Sequence, residues 1–432
     1  MSRLARTLER HWMLVLVSVL TTAVVVLIGV NLFATGEKQI DEAIPRLYAL
    51  EDPQFMRVMG VMLGPPIVGG NRYQELRNGD EIFPAMLQAI RGARHSIDFE
   101  TYIYWSGDIG KTFADALADR ARAGVKVQVL LDWLGSQKIS PALINEMREA
   151  GVQVERYHAL EWYNLGRVNN RTHRKILVVD GRIGFTGGVG IAPEWTGNAQ
   201  DADHWRDTHF RLEGPAVAQM QAVFLDNWVK TTGEVMHGTD YFPALDSVGD
   251  GRAQVFMSSP QGGAESMHLM YLLAITAAQR SIYLSMAYFV PDELALNALR
   301  DALKRGVKVQ IVTPGPIIDT ETVRKAGRAL WGDLLQAGAE FYEYQPTMYH
   351  CKVMIVDEFL TSVGSTNFDN RSFRLNDEAN LNIYDHAFAQ RQIEVFRADV
   401  ARSRRITYEA WQNRSWKEKA LEKLSSVLRV QL

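Results

Sequence analysis

The string GVKVQVL at 124–130 returns almost unchanged as GVKVQIV at 306–312. A repeat of this kind means that one structural unit is built twice, and nothing else in the chain restricts the fold as much. Each copy follows a helical pattern, ADALADRARA (114–123) and LNALRDALKR (296–305), which Gly124 and Gly306 terminate. The β-branched run after each glycine predicts a buried strand. Further upstream the correspondence continues. A helix over Ile82–Arg91 precedes the strand pattern SIDFETYIY (96–104), and a helix over His268–Gln279 precedes SIYLSMAYF (281–289). Strand, helix, strand, helix, strand is the order of an α/β layered domain, here expected in duplicate.

Each half then carries the same polar pattern. His173, Lys175 and Asp180 are followed after six residues by Gly187-Gly188. His350, Lys352 and Asp357 are followed after six residues by Gly364-Ser365-Thr366-Asn367. One H-x-K-x4-D occurs readily by chance, but two in register do not. The duplication predicts one site assembled from two halves, each giving one histidine.

Residues two apart on a strand share a face, so His173 projects with Lys175 and His350 with Lys352. Cys351, the chain's one cysteine, points the other way and is expected in the core. The apolar runs Ile176–Val179 and Val353–Val356 extend each strand as a doubly buried one. Asp180 and Asp357 lie an odd number of residues beyond their histidines and close to turns, so they are expected to stabilise turns. A histidine acting as nucleophile or acid/base needs a carboxylate to fix its tautomer. Asp207 in WRD and Glu378 in NDE occupy similar places in the two halves and are the candidates.

Two histidines, two lysines and neutral donors such as Asn367 suit a phosphodiester. The cations bind non-bridging oxygens, one histidine attacks phosphorus and the other shuttles the proton. His204, His209 and His268 show no metal-ligand spacing, so neither metal nor cofactor is expected.

Trp12–Phe33 is uncharged and apolar, long enough as a helix to span a bilayer. Arg3, Arg6 and Arg10 precede it, which predicts the N-terminus in the cytoplasm and the body outside. The run is long for a cleaved signal peptide, and no convincing cleavage site follows. At the other end, Trp416, Ala420, Leu424, Val427 and Leu428 recur at helical spacing among lysines and arginines. Such a helix suits either an anionic membrane surface or packing on the body. The net charge of -3 over 432 residues argues against a nucleic-acid partner.

The paired motifs resemble those of the phospholipase D superfamily over about Asn78–Arg397. The strings NGDEIFPAML (78–87), FETYIYWSGDIG (99–110), LLDWLGS (130–136) and STNFDNRSFRLNDEANL (365–381) are similar to its bacterial cardiolipin synthase branch. The resemblance implies an α/β fold of two α/β/α sandwich domains about a pseudo-twofold axis, with an N-terminal transmembrane helix. It implies a catalytic set of His173, Lys175, Asp180, His350, Lys352 and Asp357, with Ser365 and Asn367 binding phosphate or supporting residues that do; the reading of the two halves adds Asp207 and Glu378 to that supporting group. It assigns His173 as nucleophile and His350 as acid/base. It also implies phosphatidyl transfer between two phosphatidylglycerols, giving cardiolipin and glycerol at the bacterial inner membrane. One position departs: Gly190 stands where the glycine turn of the family carries Asn, as Asn367 does in half two.

The expected segmentation is an anchor at 1–36, a linker at 37–75, a first domain at 76–236, a linker at 237–252, a second domain at 253–400 and a basic amphipathic helix at 401–432. A hydrolase releasing phosphatidic acid and a nuclease of the same superfamily would use the same residues. A scaffold with a decayed site is disfavoured by the two intact His-Lys pairs. The sequence carries no sign of oligomeric state.

Overall fold

One mixed sheet of 16 strands runs through both halves. The computed structural model describes residues 3–33, 40–158, 170–259 and 265–427, with side chains over 11–27 and from 40 onward in those ranges. The first half runs α1 (Arg3–Phe33), α2 (Pro53–Met62), β1 (Val68–Arg77), α3 (Asn78–Gly92), β2 (Ser96–Thr101), α4 (Asp108–Arg122), β3 (Lys126–Asp132), α5 (Pro141–Glu149), β4 (Gln153–Tyr157), β5 (Arg171–Thr172), β6 (Lys175–Val179), β7 (Ile183–Gly187), β8 (Thr208–Glu213) and α6 (Val217–Thr232). The second runs β9 (Gly251–Ser258), α7 (Ser266–Ala277), β10 (Ser281–Met286), β11 (Phe289–Val290), α8 (Glu293–Lys304), β12 (Lys308–Pro314), α9 (Glu321–Ala329), α10 (Trp331–Gln336), β13 (Glu340–Tyr344), β14 (Lys352–Val356), β15 (Leu360–Gly364), β16 (Phe368–Asp369), α11 (Asn370–Arg374), β17 (Asn376–Tyr384) and α12 (His386–Ala401). A tail of β18 (Ser403–Ile406), α13 (Tyr408–Gln412) and α14 (Trp416–Ser426) follows.

From its two ends the sheet reads β4-β3-β2-β6-β7-β8-β1 and β13-β12-β10-β14-β15-β17-β9, with β18 added beyond β13. Strands β2, β3 and β4 are parallel, as are β10, β12 and β13, because helices cross over between them. The motif strands β6 and β14 run antiparallel to β2 and β10. The halves meet where β1 pairs with β9, Val68 opposite Ala253 and Asn71 opposite Gly251.

One core packs the outer layer of half one around Phe99, Phe113 and Leu177, and another does so in half two around Leu284, Trp331 and Phe341. A third draws on both halves, joining Ile176, Phe210 and Phe224 to Ile355, Leu381 and Phe396. Cys351 is buried in it, on the strand face opposite His350 and Lys352. The halves therefore share apolar interior as well as sheet.

Three sequence expectations change. The stretch 37–75, read as a linker, contains α2 and most of β1, a strand of the central pair. The tail is not one helix, since β18 first adds to the sheet edge against β13. At the N-terminus α1 exposes Trp12, Leu16, Leu20 and Leu27. Among the described residues no helix is long and apolar enough to cross a membrane. The expected anchor at 1–36 extends over residues 1–2 and 34–36 and the side chains of 3–10 and 28–33, which lie outside the described set.

Candidate active site

The two histidines enter from the starts of equivalent strands. Extended chain through Arg171, His173 and Lys175 places three side chains on one face, and His350 and Lys352 repeat the arrangement. All four motif side chains line or adjoin a cavity of about 540 Å³ between the halves, with His173, Lys175 and His350 in its wall. His173 is 9% exposed and His350 7%, so each presents little more than a ring edge to the cavity.

Each histidine takes its carboxylate from the other half. His173 Nδ1 lies 3.0 Å from Glu378 Oε1 on β17, and His350 Nδ1 lies 2.7 Å from Asp207 Oδ2 just before β8. Backbone bonds fix both crossings: the His173 amide donates to Asp377 at 2.9 Å, and the His350 amide donates to Arg206 at 2.8 Å. The short pairing of β5 with β17 and the bridge between Arg206 and Tyr349 continue the same contacts. With Nδ1–H given to a carboxylate, each ring keeps Nε2 as the working atom.

The carboxylates are held in turn, differently in each half. Ser365 Oγ donates to Glu378 Oε2 at 2.5 Å, and Asn376 Nδ2 donates to Oε1 at 3.3 Å. Ser365 thus supports Glu378. Asp207 is shorter by one methylene and equally buried, receiving Trp195 Nε1–H at 2.9 Å and the Thr208 amide at 2.8 Å. Gly188, the counterpart of Ser365, makes room for it, since a Cβ there would collide with the Asp207 carboxylate. Gly190 has a similar cause. A Cβ at 190 would stand 2.9 Å from Ile103 Cβ and 3.3 Å from Trp195 Cζ3, so the indole holding Asp207 occupies the room an Asn would need. Asn367 faces the cavity, and its Oδ1 has no hydrogen-bond partner among the described residues.

Burial sets the protonation of the site. It pushes His173 down to about 4 against the pull of Glu378, with Lys175 adding to the depression. His350 is lowered by burial and by Lys352, with Asp207 opposing. Lys175 is pushed down to about 7 by burial and the neighbouring Lys352. Burial raises Asp207 and Glu378, but their histidines and the lysines outweigh it and hold both below the usual carboxylate range. The lysines are aimed by their own strands: Lys175 Nζ donates to the His173 carbonyl at 2.7 Å and Lys352 Nζ to the His350 carbonyl at 2.8 Å.

Asp180 and Asp357 stand apart from this chemistry, at the far ends of β6 and β14. Asp180 accepts the amides of Arg94, His95 and Ser96, and Asp357 those of Gln279, Arg280 and Ser281. Their backbones are left-handed, φ 53° and 52°. They tie the turn after each motif strand to the start of the neighbouring strand. Placing them in the catalytic set is therefore corrected: their carboxylates are occupied by backbone amides seven residues from the histidines.

Sequence reasoning missed the walls. Trp195 and Trp205 stand 5.2 Å and 5.5 Å from the His350 ring, and Tyr102 stands 5.2 Å from His173. Arg171, Arg371 and Asp319 also line the cavity, with Asp319 accepting from Tyr288 Oη at 2.6 Å. Only Arg171 carried a signal, as it continues the alternation of 173 and 175.

The family profile described as cardiolipin synthase, PLD-like domain, matches residues 86–228 and 271–400, thus both halves of the site. The chain belongs to this branch of the phospholipase D superfamily. It is a phospholipase D-type phosphatidyltransferase. A cardiolipin synthase of Alkalihalophilus pseudofirmus is 33% identical over 91% of the chain and 78% of its own length. One of Geobacillus kaustophilus is 36% identical over 84% of the chain and 73% of its own length. Among solved structures, phosphatidylserine synthase of Haemophilus influenzae superposes with a TM-score of 0.63 at 13% identity, covering 88% of this chain and all of its own. At that identity the likeness speaks for the fold.

Proposed function

We propose that the protein joins two phosphatidylglycerol molecules into cardiolipin, releasing glycerol, through a phosphohistidine intermediate on His173. In the first step His173 Nε2 attacks phosphorus and the bond to the headgroup oxygen breaks. His350 gives its proton to the leaving glycerol oxygen. In the second step His350 takes a proton from a glycerol hydroxyl of the second phosphatidylglycerol. That oxygen attacks phosphorus, the P–N bond breaks, and His173 is restored. Lys175, Lys352 and Asn367 bind the non-bridging oxygens as charge develops. The depressed affinity of His173 for protons keeps its Nε2 lone pair available.

The observation that carries this reading is the pair of crossed histidine–carboxylate contacts at one cavity, with Lys175 in its wall and Lys352 beside His350. It supports a nucleophile and a proton shuttle acting on a common phosphorus. The exposed apolar side chains from Trp12 to Leu27, behind Arg3, Arg6 and Arg10, support seating in the bacterial inner membrane with the body on its outer side.

The test is full-length protein in mixed micelles with phosphatidylglycerol, with products resolved by mass spectrometry. Cardiolipin and glycerol in equal amounts are expected, absent with His173→Ala, and an acid-labile phosphoryl adduct on His173 is expected during turnover. Phosphatidic acid in place of cardiolipin would make the enzyme a hydrolase. Unchanged lipid would overturn the reading.

A further inference from the structure

Helix α14 turns a glutamate inward and its apolar side chains outward. Glu422 is its one buried residue, and it accepts from Arg328 Nε on α9 at 3.1 Å and from Arg414 Nε at 2.5 Å. Glu418 is engaged by Ser415 in the capping box that starts the helix. The opposite face carries Trp416, Leu424 and Val427, which are 75%, 69% and 73% exposed. At 100° per residue these fall on one stripe with Ala420, and Lys417, Lys419 and Lys423 flank it, all exposed. A helix that packs on a globular body normally does the reverse.

The location of α14 matters as much as its orientation. It packs along α9, and Val323 of α9, with Asp319 and Thr320 just before it, lines the catalytic cavity. Helix α14 is thus carried on the helix whose first turn lines that cavity.

We propose that α14 is a docking surface for an anionic phospholipid bilayer, seating Trp416, Leu424 and Val427 in the interface and bringing the cavity mouth to the headgroup layer. Charge selects this occupant. Glu422 is engaged on the inner side and Glu418 by the helix cap, whereas three lysines ring the apolar stripe and meet phosphate groups in the headgroup region. Tryptophan at the edge of the stripe suits the same boundary, with an apolar ring and a polar N–H. The docking is a property separate from the reaction and is read without turnover.

The test uses the full chain in nanodiscs. Cys351 is buried, so an environment-sensitive dye can be placed on Leu424→Cys, with Asp119→Cys on α4 as the control. At position 424 the expected result is a blue shift with phosphatidylglycerol in the disc, quenching by nitroxide lipids, and neither at 119. Emission at 424 that is the same in lipid and in water overturns the proposal, and so does a shift that follows protein concentration without lipid, which would make the partner a second copy. As a second readout, Leu424→Glu with Val427→Glu is expected to lower turnover of vesicle lipid roughly tenfold. Turnover of a short-chain, monomerically dissolved phosphatidylglycerol stays within about twofold, because only docking is removed. Equal loss on both substrates overturns docking as the cause. Absence of turnover by the unmodified protein on either substrate counts against the reaction instead, and the dye still decides the docking.

Discussion

His173 Nδ1 and Glu378 Oε1 lie 205 positions apart in sequence and 3.0 Å apart in space, one from each repeat. The mirror contact joins His350 to Asp207. The site is therefore not two half-sites set side by side, because each histidine is oriented by the opposite repeat. Glu378→Gln and Asp207→Asn are each expected to lower kcat by roughly 10³–10⁴, as losing the carboxylate does in a hydrolase triad. The double variant should fall far short of the product of the two losses, since the groups act as a unit. Steady-state kinetics of the three variants, checked for folding by circular dichroism, decide it. Full multiplicative loss would mean that the two pairs act independently.

The pH profile follows from burial. His173, pushed down to about 4, stays neutral as pH falls through the usual histidine range, so the acidic limb of kcat/KM should lie near 4 to 5 and not near 6.5. On the other side Lys175, pushed down to about 7, loses its charge as pH rises through neutrality. In the free enzyme this weakens phosphate binding and steepens a decline of kcat/KM that begins earlier, because His350 must carry a proton to act as acid and burial lowers it below the usual histidine range. A bound phosphodiester anion pulls the lysine back up, so the alkaline limb of kcat lies higher than that of kcat/KM. Coincident alkaline limbs would count against Lys175 as a phosphate ligand.

Asp180 and Asp357 should affect folding and leave chemistry intact. Replacing either by Ala removes acceptors from three backbone amides and puts Ala at a left-handed φ, a loss of about 2–4 kcal/mol. Asn tolerates that φ and keeps one acceptor oxygen, so Asp180→Asn should recover much of the loss. Denaturant midpoints measure the stability, and kcat per folded molecule should stay within a few-fold in all of these variants.

Restoring the family residue in half one should harm the enzyme. Gly190→Asn drives a side chain into Ile103 and Trp195 and is expected to cost about 1–3 kcal/mol. Moving Trp195 also removes the hydrogen bond that holds Asp207, so kcat falls when a donor is added. Higher activity in Gly190→Asn would show that the position lacks only a donor.

The legible parts of this site are those that depend on local periodicity. Alternation along a strand put His173 with Lys175 and turned Cys351 inward, and the odd offset separated Asp180 and Asp357 from the histidines. Which carboxylate serves which histidine was not legible, because partners 205 and 143 positions apart are chosen by sheet order. Strand β1 escaped because only Asn71 and Leu76 are buried along it, and its alternation lies in hydrogen bonding to β8 and β9 more than in apolar residues. The orientation of α14 escaped for a different reason. Apolar residues at helical spacing fit an inner or an outer face alike, and here the inner face is decided by one glutamate and two arginines.

The pairing of β1 with β9 has a consequence for how enzymes of this form diversify. A sheet continuous across both halves, with a shared core beneath it, makes a stiff plate that fixes the distance between the two histidines. Sliding one half against the other would break strand pairing and packing together, so adaptation to new alcohols or headgroups is confined to the rim. There the loops carrying Trp105, Leu134 and Asp319 can vary without touching the plate. Acceptor range and chemical step are thus separately heritable: one can drift in the loops while the other stays pinned in the strands.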